Sequence, residues 1–191
     1  MEPMHVSMAQ NTRVFRQCNF LSVVEVNRII RCVRRKRLQP YTNNADEDCV
    51  DGHAIHCTRY LNTNGLFARK FPRLRRRVLA LAESASKAEN WGWPVLDAVR
   101  CAEYHEMKPG ASLPEMDHYD VGSLVTVDIM LEEAMSGGHF QTVERNGMLL
   151  SHSFCVGDAL VFVAHKYHRV ERVKEGNRKV LVIELWNGLE R

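Results

Sequence analysis

Apolar residues recur at steps of three and four from residue 23 onward. Val23, Val26, Ile30 and Val33 fall on one side of a helix. Asn19-Phe20-Leu21-Ser22 leads into this helix, and Ser22 and Glu25 have the spacing of a capping box, which predicts its start. Arg28, Arg31, Arg34, Arg35, Lys36 and Arg37 cover its other surface, and it ends before Pro40. A second helix is predicted near Pro72, with Leu74, Val78, Leu81 and Ala85 as its buried stripe. Two such helices can cover one face of a sheet. The stretch 43–52 between them is polar, acidic and rich in turn formers, and reads as a mobile loop.

From Val95 the texture changes to short β-rich segments separated by turns: 98–104, 124–131, 139–144, 148–154, 159–165 and 179–186. Arg145-Asn146-Gly147 is a hairpin signal, because Asn and Gly tolerate positive φ. Closely spaced strands after helices predict an α+β protein on a sandwich or barrel core. There is no internal repeat and no linker, so residues 1–191 are expected to form one domain, with about 1–13 as a flexible N-terminus.

Composition narrows this picture only slightly. The 191 residues are 45% hydrophobic and 26% charged, with a formal charge of +3, ordinary values for a soluble globular protein. The basic helix residues have no alternating aromatics, so a solvated surface is the expectation rather than a nucleic-acid interface. The N-terminal stretch has no signal-peptide pattern, and apolar runs such as 159–164 are far too short to span a bilayer. The six cysteines include no CxxC pair and do not form a disulfide framework; a reducing, cytoplasmic compartment is expected.

The candidate chemistry lies between Tyr104 and Trp186. In a strand-like segment His118 and Asp120 of His118-Tyr119-Asp120 point the same way, so both can reach one metal ion. His168 can complete the set. Two imidazoles and a carboxylate leave open positions on iron(II). Arg178 follows ten residues later and offers a planar, two-pronged donor for a carboxylate. The rival distal ligand is His165. His139 faces either substrate or solvent, and His105 and His152 read as structural or exposed. His53 and His56 stand near Cys49 and Cys57, but at a spacing irregular for zinc.

In order along the chain come Tyr104, Gly110, His118-Tyr-Asp120, Ser123 and Leu131, then Gly137-Gly138-His-Phe-Gln-Thr142. Gly157-Asp158-Ala-Leu-Val-Phe162, His168-Arg-Val170-Glu-Arg-Val173, Gly176-Asn-Arg178 and Trp186 follow. This series, with the opening Asn19-Phe-Leu-Ser22 and Glu25, resembles the prolyl 4-hydroxylase-like branch of the iron(II)/2-oxoglutarate oxygenases from about residue 14 to the end. The resemblance implies a double-stranded β-helix (jelly roll) with supporting N-terminal helices. It implies Fe(2+), 2-oxoglutarate and O2 as cofactor and cosubstrates, with ascorbate as a supporting reductant. His118, Asp120 and His168 would hold the metal, Arg178 would clamp 2-oxoglutarate, and Tyr104 and Thr142 would lie beside it. The intact Asp120 favours hydroxylation over halogenation.

The leading expectation is hydroxylation of a protein or peptide side chain, prolyl first. Oxidation of a free amino acid or other small molecule is the alternative. Nucleic-acid demethylation and a non-catalytic binding module rank lower, and no membrane partner is expected. The sequence leaves open the oligomeric state and the second partner of the distal carboxylate, since Val180 stands where a hydroxyl residue is common. The loops 41–52 and 110–117 are expected to form the site's rim.

Overall fold

The computed structural model describes residues 4–36, 38, 40, 49–50, 53–92 and 96–189. In chain order its elements are α1 (Val6–Ala9), β1 (Phe15–Gln17), α2 (Val23–Lys36), β2 (Cys49–Val50), β3 (His53–Ala54) and β4 (His56–Tyr60). A 3-10 turn (Thr63–Gly65), α3 (Leu66–Lys70), α4 (Pro72–Ala88), β5 (Ala98–Met107), β6 (Val125–Glu132), β7 (Ser136–Gly137) and β8 (Phe140–Val143) follow. The chain closes with β9 (Leu149–His152), β10 (Ala159–Val163), β11 (His168–Val170), β12 (Val173–Glu175) and β13 (Arg178–Trp186).

The capping box that starts α2 is formed reciprocally. The Ser22 amide donates to Glu25 Oε2 at 2.9 Å, and the Glu25 amide donates to Ser22 Oγ at 3.3 Å. The buried face of α2 is Val26, Ile29 and Val33 rather than the expected stripe through Val23, which lies in the first turn and projects to solvent. Helix α4 starts on Pro72, whose missing N–H costs nothing at a first helical position, and buries Leu74, Val78, Leu81 and Ala85 as expected. The expected loop 43–52 lies outside the described residues apart from Cys49–Val50, which pairs with His53–Ala54.

The main sheet has six antiparallel strands in the order β1-β10-β6-β13-β5-β4. Side chains alternate across it with period two, and this alternation divides the molecule. Val127, Ile129, Leu181, Ile183 and Leu185 face α2 and α4 in one apolar cluster. Met130, Leu160, Phe162 and Val180 face the other way, against Phe140, Phe154, Val170 and Val173 of the smaller sheets. Those smaller sheets are β11-β8-β9 and the pair β12-β7. The result is an α+β arrangement dominated by antiparallel sheets, with the helices on one face of the large sheet.

Two glycines are required where backbones meet. Gly157 has φ +90, and a Cβ there would lie 2.4 Å from the Leu21 carbonyl oxygen. Gly137 has φ +72, and a Cβ would lie 2.2 Å from the Arg172 carbonyl oxygen, where β7 crosses to β12. No helix among the described residues is long and apolar enough to cross a membrane.

Candidate metal site and its cavity

Among the described residues, His118, Asp120 and His168 form a group whose potential ligand atoms all lie within 4.8 Å of one another. Asp120 Oδ1 is the shared point, 3.7 Å from His118 Nε2 and 3.6 Å from His168 Nε2. The other oxygen, Oδ2, accepts from the Thr126 hydroxyl at 2.5 Å. His168 Nδ1 donates to the Lys166 carbonyl at 3.0 Å, which leaves Nε2 as its acceptor nitrogen. Its ring is fixed between Phe162 and Phe140, at centroid separations of 5.0 and 5.6 Å.

Backbone bonds hold the segment carrying His118 and Asp120 against the strand ends. The Asp120 amide donates to the Ala164 carbonyl at 2.9 Å, and the His168 amide donates to the His118 carbonyl at 3.0 Å. Leu113 bridges to Val170 at the start of the same loop. Two groups distant in sequence are thereby brought together by main-chain pairing before any side chain is considered.

The electrostatics suit a cation. Burial by itself raises the Asp120 carboxyl, but His168, His118 and Thr126 together hold it below its ordinary range. His118 is raised, chiefly by its contact with Asp120, whereas burial keeps the His168 imidazole low and therefore neutral. An ionised Asp120 and a neutral His168 are the protonation states a metal ion needs, whereas His118, raised by Asp120, gives up its proton when a metal binds.

The three groups line a cavity of about 350 Å³ on the side of the large sheet away from the helices. Arg178 lines it as well and is 2% exposed. Its Nη2 donates to Asp128 Oδ2 at 3.4 Å, and Nη1 meets Met107 Sδ at 3.9 Å. Arg178 Nε and Asp128 Oδ1 are both buried with no hydrogen-bond partner among the described residues. Elsewhere on the wall, Glu184 Oε2 accepts from Arg100 at 2.6 Å and from Ser123 at 2.5 Å. Burial, and then Asp120, pushes the Glu184 carboxyl up to about 7. Glu103 accepts from Cys101 at 3.1 Å and meets His105 Nε2 at 2.8 Å. Cys101, Glu103 and Glu184 also have ligand atoms within 4.8 Å of one another, but both carboxylates are already engaged by donors.

Two of the expected cofactor contacts are placed elsewhere. Tyr104 is 2% exposed and belongs to the cluster that packs on the helices; its neighbours Glu103 and His105 face the cavity instead. The reason is the period of two: one step along β5 reverses the face. Thr142 pairs with His168 across β8 and β11, but its hydroxyl is bonded to Glu144 and His152 at 2.7 Å and does not line the cavity. His165 packs against Tyr119 and His139 is exposed beside Glu171; neither reaches the metal group. Of the expected rim, Leu113 lines the cavity, while 41–48 lies outside the described residues.

Several further residues line the cavity without belonging to a sequence motif. His105 was expected to be structural or exposed. It is held on the cavity wall by structural contacts, 3.1 Å from both His56 Nε2 and Thr58 Oγ1. Asp128 and Glu184 were missed because they sit in apolar strand runs. Each occupies the cavity phase of its strand, and a charged residue inside such a run is the signal that could have found them.

The sequence matches no protein-family model and no curated protein. The fold matches solved structures. A Pseudomonas putida prolyl-4-hydroxylase superposes with TM-score 0.63 at 13% identity, covering 97% of this chain and 100% of that one. The epimerase SnoN from nogalamycin biosynthesis, a non-heme, alpha-ketoglutarate-dependent protein, gives 0.69 at 15% identity, covering 95% and 80%. A Trichoplax adhaerens prolyl hydroxylase in complex with a hypoxia inducible factor peptide gives 0.68 at 14% identity, covering 95% and 87%. At these identities the likeness shows a shared fold.

Proposed function

We propose that this protein is an iron(II)- and 2-oxoglutarate-dependent oxygenase that hydroxylates a protein or peptide side chain. The single observation that carries the reading is the convergence of His118 Nε2, His168 Nε2 and Asp120 Oδ1 at one end of a cavity that also holds the buried cation of Arg178. The donor set fits iron(II): two imidazole nitrogens and one carboxylate oxygen on one side, open toward the cavity. In this reading the large and small sheets are the two halves of a double-stranded β-helix within a single domain.

An iron(II) ion in this position supplies oxygen activation and oxidation of an unactivated C–H bond, chemistry beyond any amino-acid side chain. The protein's own groups then have separate tasks. Thr126 fixes the free oxygen of Asp120, and the Lys166 carbonyl fixes the His168 tautomer. Arg178 receives the distal carboxylate of 2-oxoglutarate through its planar fork. Phe140, Phe162 and Val170 keep water from the inner wall, while the partly exposed His118 marks the side from which substrate arrives.

The likeness to two prolyl hydroxylases supports a peptide substrate, with proline as the first residue to test. A small molecule is the second reading, favoured by the equally good overlap with SnoN. Incubation of the purified protein with iron(II), 2-oxoglutarate and ascorbate should release succinate. Mass spectrometry of added peptides and metabolites should then locate a gain of one oxygen atom. No succinate from any mixture, with iron bound, would overturn the oxygenase reading; oxygen gained only by metabolites would select the second substrate class.

A further inference from the structure

Arg178, the cation assigned above to a cosubstrate carboxylate, is already paired with Asp128. Both side chains are almost fully buried, with 2% and 5% of their surface exposed. The remaining Asp128 oxygen, Oδ1, has no partner among the described residues and belongs to a side chain on the cavity wall. Asp128 stands opposite Val182 on β13, and Val182 stands opposite Glu103 on β5, so the carboxyl sits in the middle of the sheet.

The other titratable or charged groups on the cavity wall around it are Arg178 and Glu184 from β13, Arg100, Glu103 and His105 from β5, His56 and Tyr60 from β4, His168 from β11, and His118, Tyr119 and Asp120 from the loop before β6. Glu103 and Glu184 already have donors of their own. Only Arg178 bonds to the Asp128 side chain among the described residues. On β10 its register partner is Leu160, which offers nothing polar.

An ionised carboxylate accepts hydrogen bonds and cannot donate. If a second carboxylate joins Arg178 here, two anions share one cation away from water, where like charges repel strongly. A proton on one of them removes the conflict and creates a short O–H···O⁻ bond between them. Burial raises Asp128 above its ordinary range even against the pull of Arg178, so Asp128 is the better proton carrier.

We propose that a 2-oxo dicarboxylate enters this cavity together with one proton, which resides on Asp128, so that Asp128 and Arg178 hold the distal carboxylate jointly. The inference rests on the cosubstrate reading given above and makes Asp128 a specificity-determining residue for it. The proton comes from solvent, bonds to an Asp128 oxygen on binding, and returns on release. No other bond changes.

Calorimetry on the full chain, saturated with manganese(II) in place of iron, tests this with two probes. One is 2-oxoglutarate; the other is 2-oxobutanoate, which has the same keto acid end and no distal carboxylate. Titrations run between about pH 6 and pH 8.5, in paired buffers of different ionisation enthalpy. For 2-oxoglutarate the expected result is uptake of about one proton and a Kd that rises roughly tenfold per pH unit above the free-state pKa of Asp128. For 2-oxobutanoate no such slope is expected, which controls for effects at the metal end. Asp128→Asn should abolish the slope and the proton uptake.

A flat 2-oxoglutarate profile without proton uptake overturns the proposal, as does an unchanged slope in Asp128→Asn. Binding of 2-oxoglutarate by the variant but not by the natural protein means that Asp128 stays ionised and excludes the dicarboxylate, which also overturns it. Failure of both proteins to bind either acid, with manganese in place, sinks the underlying cosubstrate reading instead. Should Asp128→Asn not fold, the proton count on the natural protein decides alone.

Discussion

The Thr126 hydroxyl donates to Asp120 Oδ2 at 2.5 Å and leaves Oδ1 facing both imidazoles. Thr126 is 1% exposed and stands on β6 in the phase that faces the cavity, so its hydroxyl has no competing water. Thr126→Val keeps the shape and removes the donor. Metal affinity should fall roughly 10- to 100-fold, the usual cost of losing a group that orients a ligand, and Thr126→Ser should restore most of it. Titration with manganese(II), followed by its paramagnetic resonance signal, measures both.

Alanine at His118, Asp120 or His168 should remove stoichiometric metal binding, whereas His165→Ala should retain it. Metal content after dialysis against iron(II) or manganese(II) reads the result directly. Retention by His168→Ala together with loss by His165→Ala would reverse the choice of distal ligand.

Arg178→Ala should weaken 2-oxoglutarate binding by an amount on the order of 2–5 kcal/mol, because the distal carboxylate loses its charged donor. Tyr104→Phe should leave the same affinity unchanged, since Tyr104 faces the helices. The Arg178 variant should also be less stable, and more so at high pH, where Asp128 is left buried and ionised without a partner. Calorimetry gives the affinities and urea unfolding at acid and alkaline pH gives the stabilities. Equal affinity in Arg178→Ala and the natural protein would remove the clamp assignment.

Glu184 gives a pH signature in the metal-free protein. Its carboxyl is raised from 4.5 to about 7, first by burial and then by Asp120. A group raised on folding favours the folded state at low pH and loses that contribution as pH climbs through the folded value. Stability should therefore decline between about pH 4.5 and 7, by at most ~1.4 kcal/mol per pH unit. Glu184→Gln, which can still accept from Arg100 and Ser123, should lack this decline. Parallel urea titrations across that range show whether the two proteins diverge.

Neutralising Arg34 and Arg35 should leave turnover unchanged and without a steep salt dependence. They ride on α2, which packs against the face of the sheet opposite the cavity. A loss of activity combined with a salt slope of roughly one counterion per phosphate contact would redirect attention to nucleic acid. The neighbouring Arg37, part of the same expected cluster, lies outside the described residues.

Much of this architecture was legible because strong local signals and the required pairing agreed. The α2 capping box, the α4 stripe and all six expected β segments correspond to elements of the structure. The short strands β4 and β11 were not legible. His56-Cys-Thr-Arg-Tyr60 has no clean alternation, and its strand exists because it completes the edge of the large sheet beside β5. At the site, His118, Asp120 and Arg178 were legible as a spaced pattern, and the structure brings the first two together with His168. Tyr104 misled because a motif alignment does not carry the strand phase, and an offset of one residue exchanges the cavity for the core. Asp128 stands out locally as a charge inside an apolar strand run, but only its pairing with Arg178, which another strand contributes, gives it a meaning.

The two imidazoles differ in one respect that bears on how an ion would come and go. The His168 side chain is 8% exposed and walled by two phenyl rings, whereas that of His118 is 37% exposed on a loop. Detachment of a ligand from an ion is stepwise, and the step that needs least rearrangement is rotation of His118 into water. A chelator would therefore meet a partly released ion on the His118 side, still held by Asp120 and His168. The rate of metal exchange would then be governed by the loop of residues 108–124, and its affinity by the sheet behind it.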